Sequence, residues 1–191
     1  MLVPYPTLST EFAQRITNTS ISPWNPGQEV KTSRVTGATS VFDRFPGLWR
    51  GMHVVGASTD KRDAHDIQSW IVSLDGSRNW TNLPLLSDTI PNDLTITAVN
   101  ASLQRATVQG SLTGVIPGFF CSVGGRVMMI RAITGGNMLT LWPYVPSLLS
   151  VGETITPAMT ILARRREGIG VEFLAQPSLY GPWELAWEEK V

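Results

Sequence analysis

The side chains that could do chemistry in this sequence are few, and their spacing does not assemble them. There are two histidines and one cysteine. His53 lies in the run Met52-His53-Val54-Val55, which reads as a strand, and there the ring is expected to be structural rather than a base. His65 stands between Asp63 and Asp66, with Asp60 a turn earlier, the residue types that hold a cation. Spacings of three and four put at most a pair of ligands on one side of a helix. No second cluster supplies the rest, so a solvated polar face is the expectation. A Ser-His-Asp triad can form in three dimensions from distant residues, but no Gly-x-Ser-x-Gly elbow supports one here. Gly124-Gly125 and Gly135-Gly136 look like hairpin turns, and neither leads into the Lys-Ser/Thr helix start of a phosphate loop. Glu188 and Glu189 fall on alternate faces of a strand and cannot act as paired carboxylates. A single cysteine excludes an intrachain disulfide and a cysteine-based zinc site. Cys121, beside Phe119, Phe120 and Val123, is expected to be buried and inert. The residues predict a non-enzymatic protein with no catalytic group, no cofactor and no metal.

Charge narrows the partners. Lys and Arg total 15 and Asp and Glu total 15 in 191 residues, so the formal net charge is zero. Nucleic-acid binders draw most of their affinity from phosphate contacts and show a basic excess, so no nucleic-acid sequence recognition is expected. Near-neutrality weakens repulsion between copies and permits association. The densest positive cluster, Arg164-Arg165-Arg166, is followed directly by Glu167, which suggests a solvated loop or a salt-bridging rim at a subunit contact. Arg44 joins these three as a candidate subunit-interface residue. Hydrophobic residues at 42% and charged residues at 16% describe a folded chain with a sparsely charged surface. No apolar run approaches the roughly 20 residues of a membrane helix, so no membrane insertion is expected. Met1 to Pro6 lacks the charge and apolar stretch of a secretory signal, and a soluble protein made in a reducing compartment is the expectation.

The elements that must position these residues are mostly strands. Seventeen glycines and 13 prolines are scattered among short runs rich in Val, Ile, Thr, Leu and Trp, the pattern of many strands joined by turns. Residues 1–40 suggest an extended arm or early strands. One helix is predicted between about Asp60 and Asp75, where Ala64, Ile67, Trp70, Ile71 and Leu74 form a single apolar stripe. Ser58, Thr59 or Asp60 can cap its start and Gly76 can close it. A lone helix with one stripe must lie on a sheet.

Beyond Leu86, Leu94 to Val99 alternates, 126–133 reads as a buried strand, and Thr134-Gly135-Gly136-Asn137 turns it into an antiparallel partner at Met138 to Trp142. Pro143 and Pro146 stop that strand, and Val151 to Ile155 looks like another. These runs predict a small closed barrel of about five strands. At the end of the chain Trp183, Leu185 and Trp187 share one face while Glu184, Ala186 and Glu188 share the other, a half-buried strand with its polar side to solvent. Trp70, Trp183 and Trp187 are therefore expected in the core. The simplest topology is a discontinuous domain, 1–86 plus 162–191, with a barrel at 87–161 inserted in it.

From Phe42 onward the order of elements resembles the distal-tail or tail-adaptor proteins of long-tailed bacteriophages. The resemblance rests on Phe42 to Arg50 with its Phe45-Pro46-Gly47-x-Trp49 core, the strand Met52 to Val55, and the helix with Trp70 and Leu74. It continues through Gly118 to Arg126, Leu141-Trp142-Pro143, Val151 to Ile155 and the closing strand Trp183 to Val191. Ser77 to Leu86 departs from it, with Asn79-Trp80-Thr81 in a loop where relatives tend to be glycine-rich. The resemblance implies a mainly β protein, a tube-like β-sandwich with one packed helix and an inserted OB-like barrel. It implies a structural part of the virion tail, synthesised in the host cytoplasm, assembling as a homo-oligomer, normally a hexameric ring. Its partners would be the tail tube protein, the tape-measure protein and the hub or tip protein. Two other classes stay open: a carbohydrate-binding module stacking host sugars on Trp142 and Tyr144, and a hydrolase whose triad uses His53 or His65.

Overall fold

The computed structural model describes residues 14–24, 28–32, 39–43, 47–74, 80–166, 175–176 and 179–189. The chain is mainly β, as its short alternating runs predict, with one α-helix among the described residues. In chain order the elements begin β1 (Ile16–Trp24), β2 (Gln28–Thr32), β3 (Thr39–Asp43), β4 (Leu48–Val55), α1 (Lys61–Ser73) and β5 (Trp80–Pro84). They continue with β6 (Leu94–Asn100), β7 (Arg105–Gln109), β8 (Phe120–Val123), β9 (Arg126–Thr134) and β10 (Met138–Trp142). The last are β11 (Thr154–Pro157), β12 (Thr160–Arg165), β13 (Ala175–Gln176), β14 (Leu179–Tyr180) and β15 (Trp183–Glu189). Two compact units result, one from Met1–Ser22, Trp49–Leu86 and Thr160–Val191, the other from Pro23–Leu48 and Ser87–Met159.

In the first unit a five-stranded sheet has the order β1-β4-β15-β12-β5. The aromatic strand near the end of the chain is thus central. It pairs antiparallel with β4, Leu185 opposite His53 and Trp187 opposite Gly51, and with β12, Glu188 opposite Arg164. One face carries Trp49, His53, Val55, Trp183, Leu185, Trp187, Ile161, Ala163 and Leu83, all buried. Trp187 lies close against β4 because residue 51 has no side chain. A Cβ there would stand 2.4 Å from the indole and 2.1 Å from the Ser20 carbonyl. The helix begins as expected: the Asp60 carboxylate accepts a hydrogen bond from the Arg62 amide at 2.8 Å, satisfying an otherwise orphaned donor. Ala64, Ile67, Trp70 and Ile71 are buried, and so is Leu74 at the C-cap. Gly76, the expected terminator, lies outside the described residues. The segment expected as a loop before Leu86 is instead strand β5, paired along β12 from Trp80 opposite Arg164 to Pro84 opposite Thr160.

The second unit holds a closed antiparallel barrel in the order β10-β7-β6-β11-β8-β9. It has six strands where about five were expected, because β7 and β8 both join the four runs read as strands. Leu94, Ile96, Ala106, Val108, Cys121, Val123, Met128, Ile130, Leu139, Leu141 and Ile155 fill it. Val123 and Arg126 close a two-residue hairpin over Gly124-Gly125, both at positive φ, a turn whose twist suits paired strands and which glycine adopts without penalty. The strand expected at Val151 to Ile155 begins only at Thr154. Val151 and Gly152 form a turn, tied to β6 by Gly152 N–H to Ile96 O and Ile96 N–H to Glu153 O. β2 and β3 form a separate two-stranded ladder, Gln28 opposite Asp43 through Thr32 opposite Thr39.

The Gly51 contact gives a direct test. Gly51→Ala forces a methyl into atoms that cannot retreat, so a loss of roughly 1–3 kcal/mol or more is expected. Urea denaturation followed by tryptophan fluorescence measures it, and an unchanged midpoint would refute the close packing of Trp187 on β4.

Candidate functional site

Antiparallel register sets one row of side chains across four strands. Trp80 faces Arg164, Arg164 faces Glu188, and Glu188 faces Arg50. All four sit on the face of the sheet opposite the tryptophan core. Glu188 is held from both sides: Arg50 Nη2 donates to Oε2 at 3.1 Å, and Arg164 Nε and Nη2 donate to Oε1 at 2.9 and 2.8 Å. The Arg164 guanidinium also lies 5.0 Å from the centroid of the Trp80 ring, in cation–π range. Each such cross-strand pair contributes on the order of 0.2–1 kcal/mol, so the row orders the sheet more than it stabilises it.

This row corrects the expectation that β15 turns its polar side to solvent. Glu184 is exposed, but Glu188 is buried beneath its arginines and Glu189 is also buried, accepting a hydrogen bond from the Trp49 amide at 3.1 Å. The reason is position: a central strand has neighbours on both sides, and here they bring arginines. The three consecutive arginines do not form one patch. Arg164 and Arg165 lie within strand β12, where successive side chains leave opposite faces, and Arg165 is in register with Trp187 on the core side. Arg166 follows the strand, is exposed, and its amide donates to Ala186 O. Arg44 lies outside the described residues.

His53 is buried in the first unit, and its ring has two partners. Trp187 Nε1 donates to its Nδ1 at 2.5 Å, and its Nε2 lies 2.8 Å from the Pro84 carbonyl. An acceptor Nδ1 requires the proton on Nε2, which then donates to Pro84, so both contacts agree on one neutral tautomer. The indole meets the imidazole edge-on, with centroids 5.6 Å apart. Burial lowers the His53 pKa below its ordinary 6.5, and the hydrogen bond to Pro84 opposes this only in part. This is a structural histidine: both ring nitrogens are used inside the fold.

The other candidates are dispersed. His65 is exposed on α1, and Asp63 of the same helix is paired with Arg15. Among the described residues no group of three or more His, Cys, Asp or Glu could hold a metal ion. Cys121 is fully buried in the barrel, and burial pushes its thiol up to about 12, which fits the inert thiol expected. Trp70, Trp183 and Trp187 are buried as predicted. Tyr144 is partly buried against the barrel core, while Trp142 lies half-buried on the outer wall of the barrel. The Glu188 row escaped sequence reasoning, although Arg50, Arg164 and Glu188 all sit at outward positions of recognisable strands. What was missing was the register that aligns them. No protein-family model matches the chain, and no curated protein shows significant similarity to it.

The buried histidine sets a pH dependence. With a folded pKa below the unfolded value of about 6.5, the unfolded chain binds a proton first as pH falls. Stability is therefore unaffected by His53 above pH 6.5 and falls below it, by at most about 1.4 kcal/mol per pH unit for this one proton. Equilibrium unfolding at pH 7.5, 6.5 and 5.5 should show this slope. In His53→Leu it should flatten, with lower stability at pH 7.5 because Trp187 loses its acceptor. Identical slopes in the two proteins would refute the assignment.

Proposed function

We propose that the protein is a structural component of a bacteriophage virion tail, a ring-forming piece that joins the tail tube to the tip or hub. The observation carrying this reading is the state of the sheet's two outer strands. Among the described residues β1 and β5 each have a sheet neighbour on one side only. An open edge presents unpaired amides and carbonyls and is a ready template for a strand from another chain. Because the two edges are different strands, β1 of one copy meeting β5 of the next makes a head-to-tail contact, the kind that closes into rings. The formal charge of zero leaves little repulsion against such packing.

In this reading the first unit acts as the tube-like sandwich domain and the barrel as its OB-like insertion. The sheet face that carries the Glu188 row also carries half-buried Met52, Val54 and Leu162, apolar surface suited to a neighbouring subunit. Arg166, exposed just past β12, is assigned to the rim of the contact, with Arg164 shared between that rim and Glu188. A hexamer is the stoichiometry proposed, with the tail tube, tape-measure and hub proteins as neighbours.

The recombinant chain should sediment as a ring at high concentration and give closed rings in electron micrographs, alone or with tube and hub proteins. Asn18 on β1 and Asn82 on β5 are exposed, so Asn18→Lys with Asn82→Lys should leave the fold intact while placing charges on both edges. Loss of rings in this variant, with an unchanged unfolding midpoint, is the expected result. A wild-type chain that stays monomeric and joins neither tube nor hub protein would defeat the proposal.

A further inference from the structure

The outer wall of the barrel has a feature that subunit assembly does not require. Along the β9–β10 ladder Trp142 faces Met129 and Leu141 faces Ile130, but Thr140 faces Ala132. Arg131 is therefore a surplus residue, a β-bulge, which leaves the ladder and re-aims its side chain. Ile130 and Leu141 point into the barrel and are fully buried, while Met129 and Trp142 lie half-buried outside and Arg131 is exposed. These three residues, together with Pro23, line a cavity of about 390 Å³. That volume falls within the roughly 300–1,000 Å³ of small-molecule sites.

From these walls we infer a binding site for an acidic saccharide unit, a hexuronic acid residue, on Arg131 and Trp142. An indole flanked by a thioether and a proline ring offers flat apolar surface, which suits the C–H face of a pyranose. The only charge among these lining residues is the Arg131 guanidinium, whose paired donors match a carboxylate. A neutral sugar would leave that charge unused, and a small inorganic anion would leave the apolar wall unused. A nucleic-acid strand draws its affinity from many phosphate contacts, and one arginine supplies few. Rigidity comes from placement on two paired strands rather than on a loop. Tyr144 has no part in the site, since it packs on the barrel core.

The test is calorimetric titration of the full-length protein with oligogalacturonate, with its methyl ester as the uncharged comparison, and with oligothymidylate. The wild type should bind oligogalacturonate at least about tenfold more tightly than the ester, and Arg131→Gln should weaken it roughly ten- to a hundredfold without affecting the ester. Trp142→Leu should weaken both sugars. Should that variant fail to fold, Arg131→Gln, at an exposed site, still decides. Absence of oligogalacturonate binding, binding indifferent to Arg131→Gln, or an Arg131-dependent preference for oligothymidylate would each overturn the inference. Arg131→Gln should form rings as the wild type does, so failure here and failure of the ring proposal remain separate results.

Discussion

The first unit depends on how one indole is accommodated. Trp187 is fully buried at the centre of the sheet, which requires room for its ring and a partner for its N–H. Gly51 supplies the room and His53 Nδ1 supplies the acceptor, both from β4, on alternate residues facing the same way. His53 can accept only while neutral, and its Nε2 then holds the Pro84 carbonyl at the end of β5. A chain of contacts thus joins the central strand to an inner neighbour and to the far edge. Trp183 Nε1 and Trp70 Nε1, by contrast, are buried without a hydrogen-bond partner, so an indole inside this fold is not automatically satisfied. The cost of an unpaired buried donor is roughly 1–3 kcal/mol, enough to matter in a fold of ordinary stability.

The two faces of the sheet solve different problems with the same periodicity. One buries tryptophans against aliphatic neighbours. The other aligns Trp80, Arg164, Glu188 and Arg50 into a row that partly removes a carboxylate from water and gives it three donors in return. Neither face comes from one stretch of sequence: Arg50 and Glu188, which meet in register, are 138 residues apart.

Periodicity explains what could be read from the sequence. The stripe from Ala64 to Leu74 specifies a helix whatever surrounds it, and the alternation of Trp183, Leu185 and Trp187 specifies one buried face. The hairpins over Gly124-Gly125 and Thr134 to Asn137 follow from local turn chemistry. What could not be read depends on which strands become neighbours. Trp80 to Pro84 has too little alternation to announce a strand, and becomes one through β12. The burial of Glu188 and the partners of His53 need the register of β4, β12 and β15. The displacement of Arg131 needs the mismatch between β9 and β10, a single-residue event that leaves no compositional trace.

The placement of Cys121 has a practical consequence. Its thiol faces the interior of the closed barrel, while five of the seven tryptophans, Trp49, Trp70, Trp80, Trp183 and Trp187, belong to the other unit. Intrinsic emission therefore reports chiefly on the sheet, and alkylation of the sulfur reports only on opening of the barrel. One natural polypeptide carries separate optical and chemical clocks for its halves, so whether they melt together or in turn can be timed without substituting a single residue.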